Sequence, residues 1–228
     1  MAANELNTLQ NLLSRYRSSS DGEVFFKGLG YPTMSPLPLD LDDMPQSVQE
    51  MVRSSVQLVQ VDDGAPFRIF HVELSSPTLR RTDIRRFLEV YYRRFPQGEN
   101  LFVFASSGPS DELAFVSPRR LPDPRDSAKV RLWLRILQVR RDRPYRTDLE
   151  VLDRIRADGI RDPEEIWRRH EEAFSVQRVT EQFYRDYSAV FTRIRDHLLR
   201  RHRDNDAEWA RDYAHQLLNR IMFLYFIA

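Results

Sequence analysis

FRIFHVELSSPTLRRTDIRRFLEVYYRRF, residues 67–95, is the stretch that decides the fold. Its opening segment, Phe67-Arg68-Ile69-Phe70-His71-Val72-Glu73-Leu74, is rich in aromatic and β-branched side chains. Such residues suit a pleated surface and predict a buried strand. A short polar turn through Ser75, Ser76 and Pro77 follows. Over residues 82–95, Ile84, Phe87, Leu88, Tyr91 and Phe95 recur at helical spacing, while Arg85, Arg86, Glu89 and Arg93 take the opposite side. That pattern predicts an amphipathic helix laid against a sheet. Pro96 and Gly98 end it. The apolar run 101–105 then predicts a further strand. A strand ending in an acid, a basic helix and another strand form a unit that many nucleic-acid enzymes use.

Upstream, residues 55–61 predict a strand, which the turn residues Asp62-Asp63-Gly64-Ala65-Pro66 fold back onto 67–74 as a hairpin. Downstream, 112–117 and 130–140 predict two more strands, the second alternating Val130, Leu132, Leu134 and Ile136 with Arg131, Trp133 and Arg135. A polar loop through Pro118, Pro122 and Pro124 is expected between them. Residues 5–17 predict a helix ended by 18–22, and 44–52 a short one. Residues 24–43 read as irregular, because Pro32, Pro36 and Pro38 interrupt regular pairing. The expectation is an α+β fold, a mixed sheet of about five strands with an inserted helix, over residues 1–145.

Residues 146–228 read as an all-helical connector. Helices are expected over 147–158, from the start signal Asp162-Pro163-Glu164-Glu165, over 180–199, and after the capping pattern at 205–208. The final IMFLYFIA has no polar side, and a helix apolar all round needs cover on every side. A following domain is therefore expected to pack on Phe223, Leu224, Phe226 and Ile227.

The absence of cysteine excludes disulfides, iron–sulfur clusters and thiolate zinc sites, and is compatible with the cytoplasm, the expected location. No signal peptide and no membrane span is read. The formal net charge is only +1, but lysine occurs only at Lys27 and Lys129, so the basic residues are almost all arginine. Its planar fork suits phosphate.

The strand–Glu–helix unit invites comparison with PD-(D/E)xK nucleases, whose metal site needs an Asp on one strand and Glu-x-Lys on the next. Here Glu73 is followed by Leu74 and Ser75, so serine stands where the lysine belongs. In a regular hairpin Val61 pairs with Phe67, and Ser55 or Gln57 stands opposite Glu73. Asp62 and Asp63 then lie at the turn, roughly 20 Å away. Glu73 is left as a candidate relic of a catalytic carboxylate, with no catalytic or metal set assigned. Arg80, Arg81, Arg85 and Arg86, at the start and on the outer side of the central helix, are the candidate DNA-binding residues. No HExxH, GxGxxG, P-loop or Gly-x-Ser-x-Gly pattern occurs.

Several stretches taken in order, FHVELSSPTLRRTDIRRF, LFVFASS with ELAFVSPRR, PYRTDLEVLDRI, EEAFSVQRVTEQFYRDYSAVF and AHQLLNRIMFLYFIA, resemble the N-terminal region of bacterial restriction–modification methylases of the type IIG sort. That resemblance covers residues 54–228. It implies a restriction-endonuclease-like sheet domain, a helical connector and a downstream DNA adenine methyltransferase core that uses S-adenosylmethionine. Double-stranded DNA and that downstream domain are the implied partners, and phage defence the implied setting. The segment itself is expected to be non-catalytic, contacting DNA or docking on the methyltransferase. Two alternatives stand beside this: an active endonuclease domain using Mg2+, built around Glu73, and a structural or oligomerisation scaffold.

Overall fold

The computed structural model describes residues 3–62, 66–108, 110–123, 126–201 and 206–227, with side chains for all of these but 3–5, 126–129, 176–182 and 225–227. Two compact units divide the chain, Met1–Gln177 and Arg178–Ala228. The first is α+β. Its elements are α1 (Ala3–Arg15), α2 (Ser19–Gly28), β1 (Thr33–Pro38), α3 (Gln46–Gln49), β2 (Val52–Val61), β3 (Phe67–Leu74), α4 (Arg81–Arg94), β4 (Glu99–Ser106), β5 (Glu112–Asp123), β6 (Asp126–Arg140) and α5 (Arg146–Arg154). The long α6 (Pro163–Arg201) follows and runs on into the second unit, where α7 (Ala207–Ile227) ends the helices.

The sheet has six strands in sequence order, all neighbours antiparallel except β3 and β4. Helix α4 makes the one crossover, so the opening stretch is a parallel β–α–β unit inside an antiparallel meander. The strand period of two sends alternate side chains of β3 to opposite faces. Phe67 and Ile69 join Leu101, Val103 and Phe115 in a core closed by α1, α2, α5 and the start of α6. Phe70, Val72 and Leu74 join Phe102 and Phe104 beneath Ile84, Phe87, Leu88 and Tyr91 of α4. The rings of Phe87 and Tyr91 meet Phe102 edge-on at 6.1 and 5.0 Å, contacts worth about 1 kcal/mol each beyond their burial.

Several expectations change. The sheet gains a strand, β1, at the edge, where Pro36 and Pro38 were expected to forbid one. An edge strand pairs on one side only, so a missing N–H is tolerated there. Residues 18–22 do not merely end α1: Ser18 caps α2, accepting from the Asp21 amide while Asp21 accepts from the Ser18 amide. The expected Pro118–Pro122 loop is instead paired as the outer part of β5 and β6, with Pro124 outside the described residues. The separate helices expected from 162 and from 180 are one, α6, opened by the Asp162 carboxylate on the Glu164 amide. The cap of α7 is Asp206, on the Trp209 amide; Asn205 lies outside the described residues. Leu149, Leu152, Ile166 and Phe174, assigned from sequence to the connector, belong to the core of the first unit.

Candidate nucleic-acid interface

The carboxyl ends of β3 and β4 lie side by side, because the strands are parallel and in register from Phe67–Glu99 to Leu74–Ser106. The two exits are tied together: the Ser107 amide donates to the Leu74 carbonyl at 2.9 Å and the Ser107 hydroxyl to the Ser75 carbonyl at 2.8 Å. Gly108 lies so close to the first exit that an added Cβ would meet Pro77 Cα at 2.8 Å. Both the strand that carries Glu73 and the helix that carries the arginines therefore meet at one fixed end of the sheet.

Glu73 is half-buried and pairs with Arg53 at 3.2 Å, with the Ser54 hydroxyl 3.4 Å away. The hairpin pairs Val61 with Phe67 as expected, but the register shifts between Gln57 and Val59, and the residue opposite Glu73 is Ser54 rather than Ser55 or Gln57. Asp62, at φ 63°, sits in the turn at the far end, about 20 Å along the strand from Glu73. Asp63 is outside the described residues. No group of three metal-ligating side chains occurs among the described residues.

Arg80, Arg81, Arg85 and Arg86 are all exposed. Arg80 occupies the N-cap position of α4 without a side-chain cap, and its carbonyl accepts from the Asp83 and Ile84 amides. Arg85 donates to the Leu132 carbonyl at 3.2 Å and lies 3.8 Å from Glu89. Among the described residues no acid pairs with Arg80, Arg81 or Arg86. The N-terminal end of a helix carries partial positive charge, so cations placed there are disfavoured unless an anion joins them. Only Asp83 offsets them within the first turn.

A second charged cluster at this end is invisible in the sequence. Asp111 accepts from Arg17 at 2.7 Å and lies 3.6 Å from Arg141. Arg141 is buried, donating to the Tyr16 carbonyl at 2.9 Å and to the Ser110 carbonyl. Burial and the neighbouring Arg17 lower its pKa. His71 Nδ1 lies 3.2 Å from Tyr16 Oη. Burial above all, and then Arg141, push its pKa from 6.5 down to about 4, so it is neutral at physiological pH. This cluster clamps the end of α1 to β5 and β6.

In the second unit, Phe223 and Leu224 are exposed, while the side chains of Phe226 and Ile227 are outside the described residues. Tyr213, Leu217 and Ile221 continue the exposed stripe along α7, and Ala210, Ala214 and Leu218 form its buried side. No helix among the described residues is long and apolar enough to cross a membrane. A scan against protein-family models gave no match, and no curated protein matched the chain.

Proposed function

We propose that this chain is a non-catalytic, DNA-contacting domain, the front part of a restriction–modification DNA adenine methyltransferase. The observation that carries the reading is the group of exposed arginines, Arg80, Arg81, Arg85 and Arg86, at the positive end of α4, three of them without an acid among the described residues. Exposed guanidinium groups at the positive start of a helix suit an anion, and phosphate fits both. The hairpin, inserted helix and parallel strand support a restriction-endonuclease-like ancestry. Ser54 and Ser75, where a nuclease needs a carboxylate and a lysine, support loss of cleavage. In this reading S-adenosylmethionine serves the methyltransferase part of the protein, and the exposed α7 stripe with Phe223 and Leu224 docks on that part.

The test is duplex binding across a salt series. Each phosphate neutralised contributes about 0.9 to the log–log slope, so replacing the four arginines by alanine is expected to flatten it by up to about 3.6. Wild-type binding no tighter than that of a neutral control protein, or an unchanged slope in the variant, refutes the reading.

A further inference from the structure

We propose that the outer edge of β6 is a dimerisation surface, on which a second copy of this chain pairs its own β6 antiparallel about a two-fold axis at Leu134, joining two six-stranded sheets into one. This pairing is independent of the DNA-contacting reading and adds to it.

Strand β6 ends the sheet, and among the described residues β5 is the only strand paired with it. One bond at its end decides which backbone groups face outward. The Arg141 amide donates to the Asp111 carbonyl at 2.7 Å, so these opposed residues form a hydrogen-bonded pair. Such pairs alternate along an antiparallel ladder. The register runs from Glu112–Arg140 to Pro122–Val130 without a shift. The odd-numbered residues of β6 therefore bond to β5, and Val130, Leu132, Leu134, Ile136 and Gln138 turn their N–H and C=O groups outward. Pro118 and Pro122 agree with this assignment: they stand opposite Leu134 and Val130, where β5 donates nothing to β6. Among the described residues, Arg85 on the Leu132 carbonyl is the one partner these outward groups have.

A free edge templates another strand, and edges are ordinarily blunted by brevity, prolines or bulges. The opposite edge of this sheet is blunted in all three ways: β1 has six residues, Pro36 and Pro38, and an irregular register. Strand β6 has fifteen residues with neither proline nor glycine.

The side chains fit a second copy in one register. With the axis at Leu134, Leu132 stands opposite Ile136 of the second copy. Both are half-buried beside the core under α4, and the pairing extends their cover. On the other face Trp133, 43% exposed, stands opposite Arg135 of the second copy, and Arg131 opposite Leu137. A guanidinium beside an indole is favourable. An axis one residue away, at Trp133 or Arg135, sets Arg131 against Arg135 or Arg135 against itself, and directly opposed like charges destabilise. With the axis at Leu134, the outward residues exchange about ten backbone hydrogen bonds over roughly 27 Å.

Sedimentation equilibrium of the full chain without DNA, from about 1 to 100 µM, is expected to show a reversible monomer–dimer equilibrium, as suits an interface at the small end of the range. Trp133→Arg sets a like charge against Arg135 of the second copy, twice by symmetry, and is expected to weaken the dimer about tenfold. The chain has no cysteine, so Val130→Cys and Gln138→Cys each place a unique thiol at an exposed position. A short-arm bismaleimide is expected to join these two variants when they are mixed, because the positions oppose each other at about 5.5 Å. Either variant alone is expected to stay uncrosslinked, its two thiols lying roughly 27 Å apart. A chain that stays monomeric across the range, or a mixture that crosslinks no more than the single variants, overturns the proposal. A dimer that Trp133→Arg leaves at full strength also overturns it. Each measurement is made without DNA, so failure here leaves the α4 reading untouched.

Discussion

Acidification is expected to destabilise the first unit through two buried histidines, and the His170 site shows why. The Tyr31 hydroxyl donates to the Ile155 carbonyl and lies 2.6 Å from His170 Nε2. A phenol has one proton, and here it is spent on Ile155, so Nε2 carries the hydrogen and donates to the tyrosine oxygen. His170 Nδ1 is then the unprotonated nitrogen. It is buried with no partner among the described residues, in a site walled by the rings of Phe67 at 4.8 Å and Phe174 at 6.3 Å. Protonating it would leave a charged N–H unpaired among apolar groups. Burial accordingly pushes His170 from 6.5 down to about 3, and His71 from 6.5 down to about 4, with Arg141 adding to the second.

Both folded-state values lie below the unfolded one. The unfolded chain therefore binds more protons once the pH falls below 6.5, and stability declines from there toward pH 4 for His71 and pH 3 for His170. Each histidine approaches about 1.4 kcal/mol per pH unit once the unfolded imidazole is fully protonated, and about half that at its midpoint, so the pair removes roughly 3 kcal/mol between pH 6.5 and 5. That is a large share of a typical total of about 5–15 kcal/mol. Glu99 and Asp148, whose pKa values burial raises, act in the opposite sense, because they bind protons more readily when folded. The assay is urea unfolding over this pH range for the wild type and His170→Phe. The phenyl ring keeps the contacts to Phe67 and Phe174 but cannot titrate. The variant should lose about 1 kcal/mol at neutral pH, from the hydrogen bond to Tyr31, and show about half the wild-type slope with pH. Equal slopes in the two proteins, or a wild-type stability flat across the range, refute the reasoning.

Ser18→Ala removes the acceptor of the α2 capping box and is expected to cost about 1 kcal/mol by thermal unfolding. Gly30→Ala forces a Cβ onto a residue at φ +82°, 2.8 Å from the Asp158 amide nitrogen; a loss above about 1 kcal/mol is expected, and an unchanged melting temperature would contradict it. Glu73→Ala breaks a pair whose Arg53 is 64% exposed, and the change in stability should stay within about 1 kcal/mol. Plasmid incubated with the wild-type chain and magnesium or manganese should remain intact; nicking that disappears in Glu73→Ala would restore the endonuclease alternative.

The elements legible in the sequence were those whose period belongs to one segment. Strand β3 and helix α4 announce themselves because Phe67 to Phe95 changes from strand composition to a helical stripe within one turn. Strand β1 did not, because its prolines signal an interruption and only its position at the edge makes them harmless. Helix α2 hides behind serines and Gly22, although Ser18 and Asp21 already spelled its cap. No glycine or proline follows Pro163 within α6, and that absence was the available sign of a single helix. The one-residue shift in β2 that sets Ser54 against Glu73 left no sign at all, since it depends on how Leu58 fits beneath the helices.

The same distinction applies to the site. The exposure of Arg80, Arg81, Arg85 and Arg86 was legible because a helix start and its outer side are local properties. The Arg17–Asp111–Arg141 clamp was not, because its partners are far apart in the chain and meet only when α1 reaches the end of the sheet. Together they decide the sign of the charge there. A metal-dependent nuclease gathers carboxylates, and the cation binds to their excess. At this end Glu73 is met by Arg53, and Asp111 by Arg17 and Arg141, so both of these acids are already paired. Arg80, Arg81 and Arg86 add positive charge to a helix end that is itself positive. The local field therefore favours an incoming anion, in keeping with the DNA-contacting reading proposed above.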